Sequence, residues 1–470
     1  MIDDEQDGRN VSAVADAQAG KLHRRLGPVA VLLLALSSLS PVVSIFGIGG
    51  HVLHQAGTGA GPLFLIGICG AGIWAMNYAE LGSAFPYAGG DYVGVGRILG
   101  GWAAAVTAAL WLAILGPWIA YSVQTLTVYA AQLAPNLPPA LFTFGGLAAA
   151  MGIALMSVRS SVVLTSLFLA LEMAAVVIII VASLHVPARG FDTMALRPVT
   201  VIAGALAPVP LAVLATVSVS AVFATVGGNQ ALAFGEELIE PHRNMGRVVV
   251  MACMLGAVCI ATPVVLLVLG ASDLEGVLGS PAPFTALVST AIGAWAGPAL
   301  NACVAIAIFN ATIVSIMGGA RLFYSLGRDR LFPEALNRFL TQVEPGSGAP
   351  RAATWLVGSI GLGCCFLESH VLLIFLTGFF VYGWSLVCLA VLIGRRKQAT
   401  GGEGFWRAPL YPLTPVLGLA MAAAATVANL ADAEAGRPSL ITMGMVVLAA
   451  LVWHRLALSR RPGGWIPRIG

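Results

Sequence analysis

Long stretches without a single charged side chain limit what this chain can fold into. The longest of these stretches are 98–158, 276–320 and 26–79. One crossing of a bilayer takes about 20 apolar residues, so each run can hold two helices. With 58% hydrophobic and 10% charged residues and a mean hydropathy of +0.90, the chain lies outside the range of soluble domains. We therefore predict an all-α polytopic membrane protein.

Apolar runs and turn residues together predict twelve spans. They lie near 28–55, 60–84, 99–133, 139–157, 161–185, 201–235, 246–271, 284–323, 351–368, 371–393, 409–431 and 438–457. All but three of the 24 Lys and Arg residues fall on the side of the two chain ends, the exceptions being Arg189, Arg197 and Arg437. The positive-inside rule then predicts a multi-pass protein of the cell (cytoplasmic) membrane with cytoplasmic tails at 1–26 and 459–470. The acidic start MIDDEQDG is not a signal peptide.

Two of the predicted spans are interrupted, and they stand five spans apart. The first contains SPVVSIFGIGG (40–50) and the sixth contains FATVGGNQALAFGEE (223–237). Broken helices at corresponding places in two halves of a chain indicate an inverted-repeat transporter with its site near the midplane. Either break alone fits close helix packing by glycine equally well. The pair predicts one repeat over 27–190, a second over 191–394, and two further helices over 395–458.

Four segments of the chain resemble the amino acid/polyamine/organocation (APC) superfamily of secondary transporters. They are YAELGSAFPYAGGDYVGVGRILGGW (78–102), FATVGGNQALAFGEELIEPHRNMGR (223–247), GGARLFYSLGRDRLFPEALNRF with GAPRAA (318–339 and 348–353), and FWRAPLYPLTPVLG (405–418). The resemblance implies ten helices in two inverted five-helix repeats, the LeuT-like arrangement, followed by two more helices. It also implies transport of an amino acid or related amine by alternating access.

The resemblance further implies which residues bind the substrate. In the family, amides at the first break hold a substrate carboxylate, and carbonyls at the sixth-span break receive its ammonium group, as partial charges at helix ends favour. These roles fall on Ser44, Ile45, Phe46 and Gly47 at the first break, and on Phe223, Ala224, Thr225 and Gly227 at the second. Phe223 matches an aromatic lid of many relatives, although a packed core or lipid-facing Phe fits the same position.

The sixth span departs from the family pattern F-x-x-x-G-F-E, since this chain has Gly228 and Asn229 where an aromatic and an acid are common. Asn229 is therefore the second candidate gate residue. A replacement acid is Glu172, about 20 Å along its helix from Arg159 and so near mid-bilayer. An acid inside a membrane is a functional candidate by default, and we predict that it carries a coupling proton. A structurally paired Glu is the alternative.

The remaining polar residues give weaker indications of function. Glu236 and Glu237 are expected to pair with Arg243 and Arg247 near one membrane surface. The seven cysteines show no spacing typical of a disulfide or zinc framework, so no cofactor, metal or disulfide-linked partner is predicted. Expected partners are a small-molecule substrate, the bilayer and protons, without nucleic acid. No enzyme motif appears. Two alternatives stay open: a non-transporting amino-acid sensor or subunit, and a transporter of polyamines or other organic cations.

Overall fold

The computed structural model describes residues 26–156, 158–184, 190–344, 349–461 and 464–467. Over this part of the chain the protein is a bundle of helices with one short β-hairpin, so the predicted all-α class is confirmed. Residues 1–25 of the predicted N-terminal tail, Arg189, and residues 462–463 and 468–470 of the predicted C-terminal tail lie outside the described residues.

The first span is not one continuous α-helix. Its segments are α1 (Pro28–Leu39), α2 (Pro41–Val43), a π-helical turn (Ser44–Gly49) and α3 (Gly50–Ala56). The interruption falls at Ser40, whose φ of 42° is the left-handed value that few residues other than glycine adopt readily. Proline follows directly and cannot donate a hydrogen bond to the preceding turn. The α-helical backbone is therefore interrupted at a single residue.

The next helices lead into and out of a short helix at one end of the bundle. They are α4 (Ala60–Ala84), α5 (Asp91–Leu99), α6 (Gly101–Leu133) and α7 (Gly146–Ala154), the last preceded by a π-helical turn (Leu141–Gly145). The loop into α5 turns at Gly90, whose φ of 68° favours glycine. This loop brings the start of α5 against α4 and α6.

The sixth predicted span begins later than 201. After α8 (Val158–Leu184) and α9 (Phe191–Leu196), the chain forms an antiparallel hairpin of β1 (Val199–Ile202) and β2 (Ala205–Pro208). Gly204, with a φ of 82°, makes the tight turn, and the surrounding prolines disfavour a helix. The membrane helix follows as α10 (Leu211–Thr225) with a 3₁₀ segment at Gly228–Phe234. The predicted start of this span at 201 was wrong for that reason.

The second half continues with long helices joined by short ones. They are α11 (Pro241–Gly270), α12 (Leu274–Gly279), α13 (Pro283–Ile292), α14 (Ala296–Arg328), α15 (Glu334–Leu340), α16 (Arg351–Cys364) and α17 (Ser369–Arg396). The predicted single run 284–323 is two helices, because the chain turns at Gly293 with a φ of 134°. The last elements are α18 (Leu413–Ala431), α19 (Gly436–Trp453) and a π-helical turn (His454–Leu458).

Nine helical stretches in the described residues are long and apolar enough to cross a membrane. The first of them, Pro28–Ala84, is 57 residues long and covers the first two predicted spans. The apolar helices Leu141–Ala154 and Pro283–Ile292 are shorter than these nine stretches. The chain is therefore a multi-pass membrane protein.

The two ends of the bundle differ in charge. One end carries the loops at 85–90, 235–240, 329–333 and 397–412, and we call it the basic face. Contacts among these loops place them together, including the hydrogen bond from the Ala88 amide to Glu236 Oε1 at 3.0 Å. On the other end, the opposite face, the described Lys and Arg residues are Arg197 and Arg437.

Candidate functional site

The break in the first span is held by a carboxylate from α8. Glu172 is fully buried, and its Oε1 accepts hydrogen bonds from Ser40 Oγ at 2.7 Å and from the Val42 amide at 2.9 Å. The carboxylate thus meets the partly positive N-terminal end of the helical segment that follows the break. Its Oε2 is buried without a hydrogen-bond partner among the described residues. The first break and the predicted coupling acid therefore form one unit.

The break in the sixth span lies against the first one. After α10 ends at Thr225, Val226 is extended and Gly227 has a φ of 148°. The amides of Gly227, Gly228 and Asn229 approach the thiol of Cys253 on α11. A Cβ on Gly227 would come within 2.6 Å of the Leu39 side chain at the end of α1. The two discontinuities that the sequence predicted are therefore in direct contact.

A cavity of about 130 Å³ lies between these breaks and the loop into α5. Four of the predicted site residues line it: Ser44, Phe223, Gly227 and Asn229. Further polar groups on its wall come from Ser38, Gln230 and Ser315. Apolar walls with a few convergent polar groups are typical of small-molecule sites.

The other predicted site residues do not line the cavity. Phe46 packs on the rings of Tyr129 and Phe284 at 5.6 and 5.2 Å between centroids. Thr225 Oγ1 donates to the Gly67 carbonyl at 2.9 Å, toward α4. Ile45, Gly47, Ala224 and Glu172 are likewise absent from the cavity wall. The structure thus brings four of the ten predicted residues together at the cavity.

Aromatic side chains make up much of the wall. They are Trp74, Tyr78, Trp111, Trp118, Phe223 and Phe379. Each of the three indole N–H groups is already donated within the protein. Trp74 donates to Asn229 at 3.3 Å, Trp111 to Asp91 at 2.6 Å and Trp118 to Ser315 at 2.9 Å. These indoles therefore offer hydrocarbon and π surface to a ligand rather than a free donor.

Asp91, the first residue of α5, contributes the only carboxylate on the described cavity wall. Sequence reasoning did not select it, although it stands within the quoted motif GGDYVG. The signal available was an acid directly after two glycines, one of which has a left-handed φ. Nothing local in the sequence shows that this loop folds back toward the breaks, so the position of Asp91 is a result of tertiary structure.

Phe223 separates two compartments. It lines the cavity on one side and an open cleft of the opposite face on the other, and Ile48 is the one other residue common to both walls. The cleft is bordered by His51 and Asp432. Phe223 is half-buried and makes an edge-to-face contact with Phe380 at 6.2 Å between centroids. A shared wall of this kind is where a gate would act.

The basic face is closed by ion pairs that differ from the predicted ones. Glu237 pairs with Arg321 at 2.5 Å and Glu236 with Arg328 at 2.6 Å. The predicted partners Arg243 and Arg247 were wrong, because the 3₁₀ segment directs both acids toward α14 instead of along the chain. The Arg321 guanidinium also lies over the Phe234 ring at 4.6 Å. These contacts tie the segment after the second break to α14.

Comparisons with known proteins agree with this architecture. A family model described as amino acid permease matches residues 26–452. The chain is 24% identical over 411 residues to the branched-chain amino acid permease BcaP of Lactococcus lactis subsp. cremoris, covering 80% of this chain and 83% of that protein. An uncharacterized transporter of Mycobacterium tuberculosis is 25% identical over 362 residues, covering 72% and 73% of the two chains. The chain therefore belongs to the amino acid permease family, within the APC superfamily of membrane transporters.

Proposed function

We propose that this protein is a secondary active transporter for an amino acid with an apolar side chain, working by alternating access. The observation that carries the proposal is the position of Phe223 between the cavity and the opposite-face cleft. A substrate in the cavity is separated from the opposite face by little more than this side chain and Ile48. The printed name of the Lactococcus relative and the aromatic wall both favour a branched-chain substrate such as L-leucine.

An inverted repeat over 27–190 and 191–394, with twelve spans in all, fits the order of elements. A short helix, α5, follows the second helix of the first half at the basic face. Short helices α12 and α13 follow α11, its counterpart in the second half, at the opposite face. Interruptions in α1–α3 and after α10 occupy matching places. Such inverted correspondence supports two halves that rock around a common site.

Coupling is proposed to involve Glu172, with substrate exchange as the alternative. The carboxylate accepts two hydrogen bonds from the first break, and bonds to an ionised acceptor are about twice as strong as neutral ones. Protonation therefore weakens the connection between α8 and the break. A proton that binds Glu172 would weaken the attachment of the first span to α8. The first span could then move at the step when substrate is released.

The test of transport is uptake and counterflow of labelled amino acids in proteoliposomes, with L-leucine as the first probe. We expect saturable uptake and accelerated exchange when the vesicles contain unlabelled leucine. Folded protein that moves none of the amino acids or amines in a broad panel would refute the proposal, and ligand binding without flux would favour a sensor.

For coupling, Glu172→Gln should remove the stimulation of uptake by an inward-directed pH gradient while counterflow persists. Glutamine keeps the size and an acceptor oxygen for Ser40 but cannot carry a proton. The matched control is Glu275→Gln, on the short helix α12, which should retain the gradient response. A Glu172→Gln protein with an unchanged response would exclude Glu172 as the coupling residue.

A further inference from the structure

Asp91 is a buried acid without a cation beside it. Its carboxylate accepts hydrogen bonds from Trp111 Nε1 at 2.6 Å and from the Tyr78 hydroxyl at 3.2 Å. Within the described residues no salt bridge reaches it, although its side chain faces a cavity. These two side-chain donors, together with the backbone amides of Asp91 and Tyr92, are all neutral and compensate only part of the cost of burying a charge. The site is therefore electrostatically suited to a cation that arrives from the cavity.

The surroundings of Asp91 select the kind of cation. Trp111 and Tyr78 are aromatic, and Trp74 and Phe379 stand on the same wall. Aromatic faces attract ammonium groups, most strongly when these are desolvated. A hydrated metal ion would need several oxygen ligands, whereas this wall supplies mainly hydrocarbon. One carboxylate among aromatic rings fits an organic ammonium group.

We propose that Asp91 forms an ammonium-binding subsite, distinct from the carbonyls of the second break, which the substrate amine occupies on its way between the breaks and the basic face. This inference rests on the proposed function and adds a specificity-determining residue to it. Gly227 and Asp91 line the same cavity, so an amine can exchange between the two positions without leaving it. A substrate without an amine would gain nothing at this point.

The titration of Asp91 agrees with such a role. Burial raises the pKa of the Asp91 carboxyl to about 6, against the lowering effect of the hydrogen bonds from Trp111, Tyr78 and the backbone amides of Asp91 and Tyr92. Of the neighbours that contact it, Tyr78 from α4 is the titratable one, and α6 presents the neutral Trp111. Asp91 belongs to the short helix α5, which connects two membrane-spanning helices and is not itself one of them. The carboxylate is therefore mostly ionised at neutral pH and mostly protonated at pH 5.

The experiment compares three probes: L-leucine, 3-methylbutylamine, which is leucine without the carboxylate, and 4-methylpentanoate, which is leucine without the amine. Their dissociation constants are measured on full-length protein in lipid nanodiscs. Asp91→Asn should weaken the binding of 3-methylbutylamine about tenfold, which corresponds to about 1.4 kcal/mol, because the variant lacks the charge that the ammonium group would contact. Binding of 4-methylpentanoate should stay the same or tighten. Glu334→Gln, an exposed acid of α15 on the same face, serves as the matched control and should change neither.

Equal weakening of all three probes by Asp91→Asn would indicate a purely structural residue and overturn the proposal, as would an unchanged amine affinity. If the Asn protein does not fold, the amine is titrated on Glu172→Gln protein, in which the buried acid at position 172 cannot titrate. Binding should then be weaker at pH 5 than at pH 7, because the raised pKa of Asp91 leaves it protonated at the lower pH, and pH-independent binding would refute the subsite. Failure of transport itself is recognised separately, by the absence of leucine flux in wild-type vesicles.

Discussion

At the residue scale, Phe223 is the side chain on which we expect occlusion of the cavity to depend. It forms part of both compartments, and its edge contact with Phe380 fixes the ring across the wall between them. Phe223→Ala should open a path between cavity and cleft, because no other bulky side chain except Ile48 is shared by both walls. We expect leucine counterflow to fall about tenfold if the aromatic contact supplies about 1.4 kcal/mol to occlusion.

The measurement for Phe223→Ala is counterflow and leucine-independent leak in the same vesicles. Phe366→Ala is the control, since this ring is 77% exposed at the opposite face and lines neither compartment. Its flux should equal that of the wild type. Wild-type counterflow by Phe223→Ala protein would contradict the gate role.

The two buried acids illustrate what the sequence could and could not reveal. Glu172 stands alone in an apolar helix, so its depth in the membrane follows from counting residues. Its partners Ser40 and Val42 are 132 and 130 positions away, and only the folded chain identifies them. Asp91 stands in a loop-and-helix motif that is typical of a surface connection. Its place at the cavity depends on how that loop folds back, which is a long-range property.

At the scale of elements, the two breaks were predictable in existence but not in detail. Glycine and proline content located both, yet the first break turns at Ser40 instead of at the glycines, which fall in or just after the π-helical turn Ser44–Gly49. The reason is that Ser40 and Val42 find hydrogen-bond partners in Glu172, whereas the glycines can stay helical. The second break occurs at Gly227, as its left-handed φ requires.

Gly227 should therefore tolerate no side chain. Alanine there would adopt a φ of 148° and would place its Cβ 2.6 Å from Leu39. Strain of this kind costs about 1–3 kcal/mol, and the contact between the breaks must widen as well. We expect a lower thermal unfolding temperature in detergent together with loss of leucine binding.

Gly152→Ala provides the comparison for Gly227→Ala. Gly152 lies inside α7, and a Cβ added there would have nothing within 4 Å, so alanine should be neutral or stabilise by up to about 1 kcal/mol. Equal melting temperatures for the two variants would show that the second break does not depend on glycine.

At the scale of the whole molecule, charge and connectivity define how the protein sits in the membrane. Ion pairs of α14 with the segment after the second break and of Glu80 on α4 with Arg395 on α17 at 2.6 Å join distant parts of the chain at the basic face. The opposite face has His51, Asp432 and the hairpin instead. The overall bundle followed from apolar runs alone, because hydrocarbon length sets helix length. The ion pairs at the basic face could not be predicted in this way, since they join residues up to 315 positions apart.

The basic face should be cytoplasmic, because membrane proteins retain Lys and Arg on that side. Two exposed acids on opposite ends of the molecule test this: Glu403 in the loop 397–412 and Glu434 beside the cleft. With a membrane-impermeant thiol reagent, Glu434→Cys should be labelled in intact cells and Glu403→Cys only after permeabilisation. The unmodified chain, labelled in parallel, corrects for the seven native cysteines. The reverse labelling pattern would show that the basic face lies outside the cell. Asp91 would then be near the external side, where it would meet substrate from outside the cell.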